Sequence, residues 1–168
     1  MFHTLPDGTK IHLRPIQAAD KARLSVAHGR LSEETIRRRY LAAKPRVTNS
    51  ELTYLTEVDG HNHIALAAFP VEDPETLAGI ARCVRLVDTP ETAEFAVVVA
   101  DAFQGRGLGT LLARELATAA QAAGIRRFAA TMLSDNGAVR HVMDTITADL
   151  ELERTDGGVR EVIIDLAA

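Results

Sequence analysis

Residues 93–110 have the sequence AEFAVVVADAFQGRGLGT, and this stretch decides the fold. An apolar run at 93–100 ends in a short polar turn, and glycines follow at positions 105, 107 and 109. Apolar side chains then recur at the spacing of one helix face, at Leu108, Leu111, Leu112 and Leu116. The stretch therefore predicts a strand, a glycine-rich loop and a helix, in that order.

A glycine-rich loop between a strand and a helix is suited to binding an anion. Glycine has no Cβ to keep an anion away from backbone N–H groups, and the helix start adds the positive end of its dipole. We therefore predict a phosphate or pyrophosphate site at Gly105 to Thr110. A Walker A motif is excluded because no Gly-Lys-Ser or Gly-Lys-Thr follows. A Rossmann-type NAD site is the remote alternative, since the loop lies mid-chain behind an apparent meander.

The segments before the loop predict strands and helices. Strand-like runs at 63–71, 77–87 and 93–100 are separated by turn-rich tetrapeptides, which favours an antiparallel meander. Further upstream, the alternating residues 10–14 follow a Pro-Asp-Gly-Thr turn and predict a strand that ends near Pro15. Helices are expected from three start signals, at Asp20, Ser32 and Thr48.

The segments after the loop complete a mixed sheet. Gly124 is expected to end the helix, and a strand at 126–133 and a helix at 136–146 follow. The last predicted element is a hairpin of 150–154 and 159–166 around Asp156-Gly157-Gly158. Strands on both sides of helices indicate an α/β or α+β fold. We expect one domain, 1–168, because no linker or repeat divides the chain.

Composition excludes several classes of protein. The 168 residues include 19 Lys plus Arg and 23 Asp plus Glu, so the net charge of −4 provides no general field for nucleic acid or an anionic membrane. No leader-like start and no run of about 20 apolar residues is present, so we expect a cytoplasmic protein. The single cysteine, Cys83, is expected to be a buried apolar residue, and no metal is expected.

The fuller pattern Gln-x-x-Gly-x-Gly at 104–109 resembles the signature of the Gcn5-related N-acetyltransferases. In that family a strand, the signature, a helix, a second strand and a cofactor-contacting Asn follow in order, and this chain supplies all of them up to Asn136. More narrowly, Leu-Pro-Asp-Gly-Thr at 5–9, Arg39-Tyr40 and Ala93-Glu94-Phe95 resemble the acetyltransferase domain of bacterial protein lysine acetyltransferases.

The resemblance implies a fold, a reaction and a cofactor site. The sheet would be mostly antiparallel, splayed at its centre and covered by helices on both faces. Acetyl-CoA would be the acyl donor, and its acetyl group would pass directly to a primary amine through a tetrahedral intermediate. Its pantetheine would bond the main chain of Val97 and Val99, and Asn136 would contact it. The pyrophosphate would be held by Gln104, Gly105, Arg106, Gly107, Leu108, Gly109 and Thr110.

Glu94 is the candidate general base, because an amine is protonated near pH 7 and must lose that proton before it attacks. Glu94 is a carboxylate at the head of an otherwise apolar strand, and we expect partial burial to raise its pKa. The alternative is that Glu94 is an exposed charge at the end of a strand and has no catalytic role.

The chain departs from the family at the position of the general acid. Many members carry a Tyr about seven residues after the Asn, and this chain has Met143 there. The alternatives are that His141 or solvent protonates the leaving thiolate, or that the thiolate needs no acid. The usual Gly-Phe after this helix is also replaced, by Thr147-Ala148.

Three further features of the sequence carry weaker functional signals. His61 and His63 fall short of a metal ligand set. Arg37-Arg38-Arg39 is expected to be a solvated helix face, with contact to the CoA 3′-phosphate or an acidic substrate as the alternative. Arg106 either holds phosphate oxygens or points to solvent.

The acceptor is the open question. We favour a protein lysine, and a small-molecule amine is the first alternative. A non-catalytic acyl-CoA-binding module is the alternative from another class, motivated by the missing Tyr. A homodimer is a further expectation, because family members are often dimers.

Overall fold

Eight strands form one mixed sheet in the computed structural model, which describes residues 1–167. The spatial order of the strands is β1-β2-β3-β4-β5-β6-β8-β7. Their bounds are β1 Phe2–Thr4, β2 Lys10–Pro15, β3 His63–Pro70, β4 Gly79–Arg85, β5 Thr92–Val99, β6 Arg127–Leu133, β7 Thr147–Asp156 and β8 Val159–Leu166. Neighbouring strands are antiparallel except β5 and β6, which are parallel.

Within these described residues, five α-helices cover the two faces of the sheet: α1 Lys21–Gly29, α2 Glu33–Tyr40, α3 Asn49–Thr56, α4 Leu108–Ala122 and α5 Gly137–Asp144. The leucines predicted for one face of α4 pack into the larger core, where Leu108, Leu112 and Leu116 are fully buried. On the opposite face, α1 packs Leu24 and Ala27 against a second cluster that contains Phe69 and Ile80. None of the helices in residues 1–167 has the length and apolarity needed to cross a bilayer.

The predicted meander is confirmed, with shorter strands than the apolar runs indicated. The run at 77–87 contributes only Gly79–Arg85 to the sheet, because residues beyond Arg85 turn towards β5 and leave Val87 fully in solvent. By contrast, β7 is longer than predicted, since backbone pairing with β8 holds a strand whose side chains are mostly exposed. An edge strand with exposed side chains needs no alternation of apolar and polar residues, so the sequence pattern does not reveal its full length.

The sheet splays at its centre, as the family resemblance implies. The ladder between β5 and β6 covers only Thr92–Glu94 against Arg127–Ala129. Beyond it β5 stays paired with β4, and β6 stays paired with β8 along its whole length. The two middle strands therefore diverge after Glu94 and open a gap.

Cys83 is completely buried on β4, as predicted. Burial raises the pKa of its thiol to about 12. The thiolate needed for nucleophilic or redox chemistry is therefore suppressed, and Cys83 acts as a small apolar residue of the core.

Asp20 supplies a buried charge that ties β2 to the start of α1. Its carboxylate, fully buried, accepts two hydrogen bonds from Arg14 at 2.8 Å and one from the Gln17 N–H at 2.9 Å. Burial alone would raise the pKa of Asp20, but the hydrogen bonds from Arg14 and Gln17 outweigh it and lower the pKa below its usual value of 3.8.

We expect Asp20→Asn to reduce the free energy of unfolding by about 2 kcal/mol at pH 7, because charged hydrogen bonds are lost in a buried site. A depressed folded-state pKa stabilises the protein fully above pH 3.8 and stops doing so as the pH falls through the folded value. Urea unfolding of both proteins across pH 3–7 measures this, with the exposed Asp88→Asn as control. A difference that widens on acidification would contradict this account.

Candidate active site

A cleft of about 470 Å³ opens where β5 and β6 diverge. Its walls are α2, the second half of β5, the glycine loop with the start of α4, and α5. Nine residues predicted to hold the cofactor line it: Val97, Val99, Gln104, Gly105, Gly107, Leu108, Gly109, Thr110 and Asn136. The fold thus gathers in one cleft these nine residues, of which the most distant, Val97 and Asn136, are 39 positions apart.

The backbone of β5 presents polar groups to this gap. The Ala100 N–H donates to the Ala78 carbonyl at 2.9 Å, and the Thr92 carbonyl accepts from the Leu86 N–H at 2.9 Å. Even-numbered residues of β5 therefore bond to β4, and by alternation the N–H groups of Val97 and Val99 point into the gap. Because β6 has diverged there, these groups face the cleft.

The glycine loop has the backbone geometry of an anion cradle. Gly105 and Gly107 have φ values of 72° and 85°, in the left-handed region that glycine adopts without strain. Gly107 is the N-cap of α4, and the first hydrogen bond of the helix runs from the Leu111 N–H to its carbonyl at 3.1 Å. The N–H groups of residues 108–110 thus lack partners within the helix and are free to bind an anion.

Gln104 ties the loop to α2 through its side chain. Its Nε2 donates to the Val99 carbonyl at 3.0 Å and to Thr35 Oγ1 at 3.2 Å. Thr35 Oγ1 in turn donates to the Asp101 carboxylate at 2.8 Å, which also accepts from the Ser32 hydroxyl at 2.7 Å. Burial works to raise the pKa of Asp101, but the hydrogen bonds from Ser32 and Thr35 keep it below its usual value. Sequence reasoning found Ser32 as the N-cap of α2 and missed its link to the loop.

We expect Thr35→Val to raise the Kd for acetyl-CoA about tenfold, because it removes the shared hydroxyl at near-constant volume and releases the loop from α2. Thr35→Ser keeps the hydroxyl and should bind as the wild type does. Calorimetric titration of both variants measures the difference. Equal loss in both, or loss in Thr35→Ser alone, would mean that the hydrogen bonds of the Thr35 hydroxyl do not account for the effect.

Asn136 is buried at the start of α5, and its side-chain oxygen accepts the Val139 N–H at 3.3 Å. Its amide nitrogen remains as the donor for a ligand in the cleft. Arg106 does not line the cleft; its guanidinium lies 3.4 Å from the Asp7 carboxylate and 5.4 Å from the centre of the Phe103 ring. Arg106 is exposed, which agrees with the second of its two expected orientations, and the pairing with the β1–β2 turn was not predicted.

Glu94 is exposed, and the expectation of partial burial is wrong. The reason is its position: it is the last residue paired with β6, opposite Ala129, and points away from the apolar face that buries Ala93 and Phe95. It does not line the cleft. It lies at the apex where the two strands part.

The positions considered for a general acid differ sharply in access to the cleft. Met143 is fully buried in the core and has no proton to donate. His141, two residues earlier, is exposed and lines the cleft. Arg38 and Arg39 also line it, so the predicted solvated face of α2 is in part a wall of the site.

The His63 ring contacts the side chain of the buried Arg82. Its Nε2 lies 3.0 Å from Arg82 Nη1, and burial, followed by the Arg82 charge, lowers the pKa of His63 to about 4. His63 is therefore a neutral partner of Arg82 at pH 7.

Residues 1–167 contain no group of three or more His, Cys, Asp or Glu side chains placed to hold a metal ion.

Comparison with known proteins relates this cleft to a family. The family model described as Acetyltransferase (GNAT) family matches residues 33–143. Acetyltransferase Pat of Mycolicibacterium smegmatis is 35% identical over 141 residues, which are 84% of this chain and 42% of that protein. The chain thus spans less than half the length of this relative.

Solved structures show the same fold. The GNAT domain of S. lividans PAT superposes with a TM-score of 0.87 at 30% identity, over 99% of this chain and 96% of that one. A phosphinothricin acetyltransferase from Sinorhizobium meliloti, solved in complex with acetyl-CoA, has a TM-score of 0.76 at 15% identity, over 94% and 89%. With its splayed sheet, glycine loop and family match, the chain belongs to the GNAT family of acetyltransferases.

Proposed function

We propose that this domain transfers an acetyl group from acetyl-CoA to a primary amine by direct attack on the thioester. One observation carries the proposal: a glycine loop at a helix N-terminus and outward-facing β5 backbone groups line the same cleft. The loop suits a pyrophosphate, and the strand edge suits the amides of a pantetheine arm. The acetyl-CoA in the Sinorhizobium meliloti structure of this fold supports the choice of donor.

The cleft residues predicted to hold the cofactor have the following roles in the proposal. The N–H groups of the loop and of residues 108–110 bind the pyrophosphate, as does Thr110. The N–H groups of Val97 and Val99 align the pantetheine, and Asn136 donates its amide to it. One N–H of β5 stabilises the negative charge that develops on the thioester oxygen.

We further propose Glu94 as the base that takes the proton from the acceptor amine, directly or through a water. Its location at the apex supports this role, because the pantetheine runs from the loop towards the closed end of the gap. An exposed carboxylate is also accessible to an incoming ammonium group. No acid is required for the leaving thiolate, because a thiol has a pKa of about 8.5; His141 is the side chain placed to assist.

The acceptor we favour is a protein lysine. This choice follows the resemblance to bacterial protein lysine acetyltransferases, and the 35% sequence identity to Acetyltransferase Pat agrees with it. A small-molecule amine remains the alternative, as does a non-catalytic acyl-CoA-binding module. We also propose that residues 1–168 act as one domain in the cytoplasm without a metal, and that the domain pairs as a homodimer.

The test of the donor is calorimetric titration with acetyl-CoA, CoA and NAD, followed by assay of CoA release with a panel of amines. Binding of acetyl-CoA and CoA but not NAD, with CoA release that depends on an amine, is the expected result. Binding without release for every amine would favour the non-catalytic module. Absence of acetyl-CoA binding by the folded protein would overturn the proposal.

A further inference from the structure

One half of the sheet, made of β6, β8 and β7, is packed on one face only. Phe128, Met132 and Ile164 point into the larger core and are almost completely buried. The alternate residues of the same strands point the other way, and of these Ile163 is only half-buried and Thr131 is exposed. The second core cluster, on that other face, consists of residues between 16 and 80 and does not extend to these strands in the described part of the chain. This half of the sheet therefore has an open face.

Three apolar residues cross the open face in a row that starts beside Glu94. Glu94 pairs with Ala129 where β5 and β6 meet. Ala129 pairs with Ile163 on β8, and Ile163 pairs with Leu152 on the edge strand β7. Side chains of paired residues lie on the same face of a sheet. We call Ala129, Ile163 and Leu152 the apolar row. Three strand spacings separate the backbone at Glu94 from the backbone at Leu152, a distance of about 14 Å.

A bulge in β7 puts its two exposed leucines on opposite faces of the sheet. Leu150 pairs with the buried Ile164, and after a register shift Leu152 pairs with Ile163. Glu153, the next residue, returns to the packed face, where it forms an ion pair with α5 at 3.0 Å. Leu150 and Leu152 are equally exposed, at 41% and 42%, but only Leu152 belongs to the apolar row.

Acidic side chains surround the apolar row. Among residues 1–167, the strand registers and the contacts of Arg127 place five carboxylates and two guanidinium groups on the open face: Glu94, Asp149, Glu151, Glu161 and Asp165, with Arg127 and Arg154. Each arginine is paired with a glutamate, Arg127 with Glu151 at 3.1 Å and Arg154 with Glu161. Three negative charges are left in excess. The face therefore suits a partner that is cationic and also has an apolar side chain.

Glu94 points to this face, so an amine that gives its proton to Glu94 arrives across it. The ammonium group of a lysine complements the excess negative charge, and the chain that carries the lysine then lies along the apolar row. We propose that the apolar row binds an apolar side chain of a protein acceptor within about four residues of the reacting lysine, because an extended chain advances about 3.3 Å per residue. This inference rests on the proposed acetyl transfer to a protein lysine.

A second copy of the chain fits the open face less well. Two copies that met through this face about a twofold axis would bring their acidic surfaces together. The same charges attract a segment that carries a lysine. A dimer through the open face is therefore the rival occupant, and the experiment distinguishes it.

The experiment measures kcat/KM for N-terminally acetylated peptides that have one lysine in a Ser/Gly background. A leucine is placed in turn at each of four positions on either side of the lysine. At one or more positions we expect a preference of at least about fivefold over the leucine-free peptide. Leu152→Ser should lose this preference, and Leu150→Ser should keep it. The two variants are matched, since they remove the same side chain at the same exposure from opposite faces of one strand. Leu152→Gln replaces Leu152→Ser if the serine variant does not fold.

The absence of a preference at every position would overturn the apolar row as an acceptor site and leave acetyl transfer standing. So would a preference that persists in Leu152→Ser, or one that Leu150→Ser loses equally. Sedimentation of the wild type and Leu152→Ser tests the rival occupant: a dimer that the substitution dissociates, with the peptide preference unchanged, would assign the face to a second copy. Transfer to small amines but to none of the peptides would show that a protein is not the acceptor. No CoA release with any amine would overturn the proposed function itself.

Discussion

Gly107→Trp is expected to lower the affinity for acetyl-CoA by at least about 100-fold. Gly107 caps α4 with a φ of 85° and lines the cleft, so a tryptophan there would strain the backbone, place its Cβ 3.5 Å from the Pro6 ring and put a bulky indole beside the loop. An anion then loses access to the N–H groups at the helix start, whose charge-assisted hydrogen bonds are the strong ones. Calorimetric titration of the folded variant measures the loss.

The other end of the same helix provides the matched control. Gly124 has a φ of 82°, and a Cβ there would meet no atom within 4 Å. Gly124→Trp therefore costs a similar backbone strain far from the cleft, and we expect it to lower thermal stability while leaving acetyl-CoA affinity unchanged. Equal loss of binding in both variants would show that strain in α4, and not obstruction of the loop, is responsible.

Glu94→Gln is expected to reduce kcat by about 10²- to 10⁴-fold, the range that a general base contributes. The variant removes the proton acceptor and keeps the shape of the side chain. Because Glu94 does not line the cleft, the Kd for acetyl-CoA should stay at the wild-type value. Steady-state CoA release and calorimetric titration together separate the two effects.

Glu91→Gln is the control for this substitution, since Glu91 is an exposed carboxylate just before β5 whose contacts are with Arg126 and Arg127. It should keep full activity. A Glu94→Gln enzyme with normal kcat would assign the proton transfer to another group.

Much of the fold follows from local signals in the sequence. The strand, loop and helix at 93–123 are specified by an apolar run, by glycines that alone tolerate positive φ, and by leucines on one helix face. The N-caps at Ser32 and Thr48 are equally local, because each hydroxyl bonds an N–H three residues later. The boundaries of β4 and β7 were predicted less well, since pairing with a neighbouring strand sets them.

The sequence by itself determined the glycine loop, the helix behind it and the antiparallel meander before it, because each depends on residues close together in the chain. Only the tertiary structure decided that Thr35 holds Gln104, that Arg39 faces the cleft and that Glu94 is exposed at the apex. Those facts depend on which distant segments meet across the sheet. Side-chain burial and hydrogen-bond partners of that kind are properties of packing, and no local pattern encodes them.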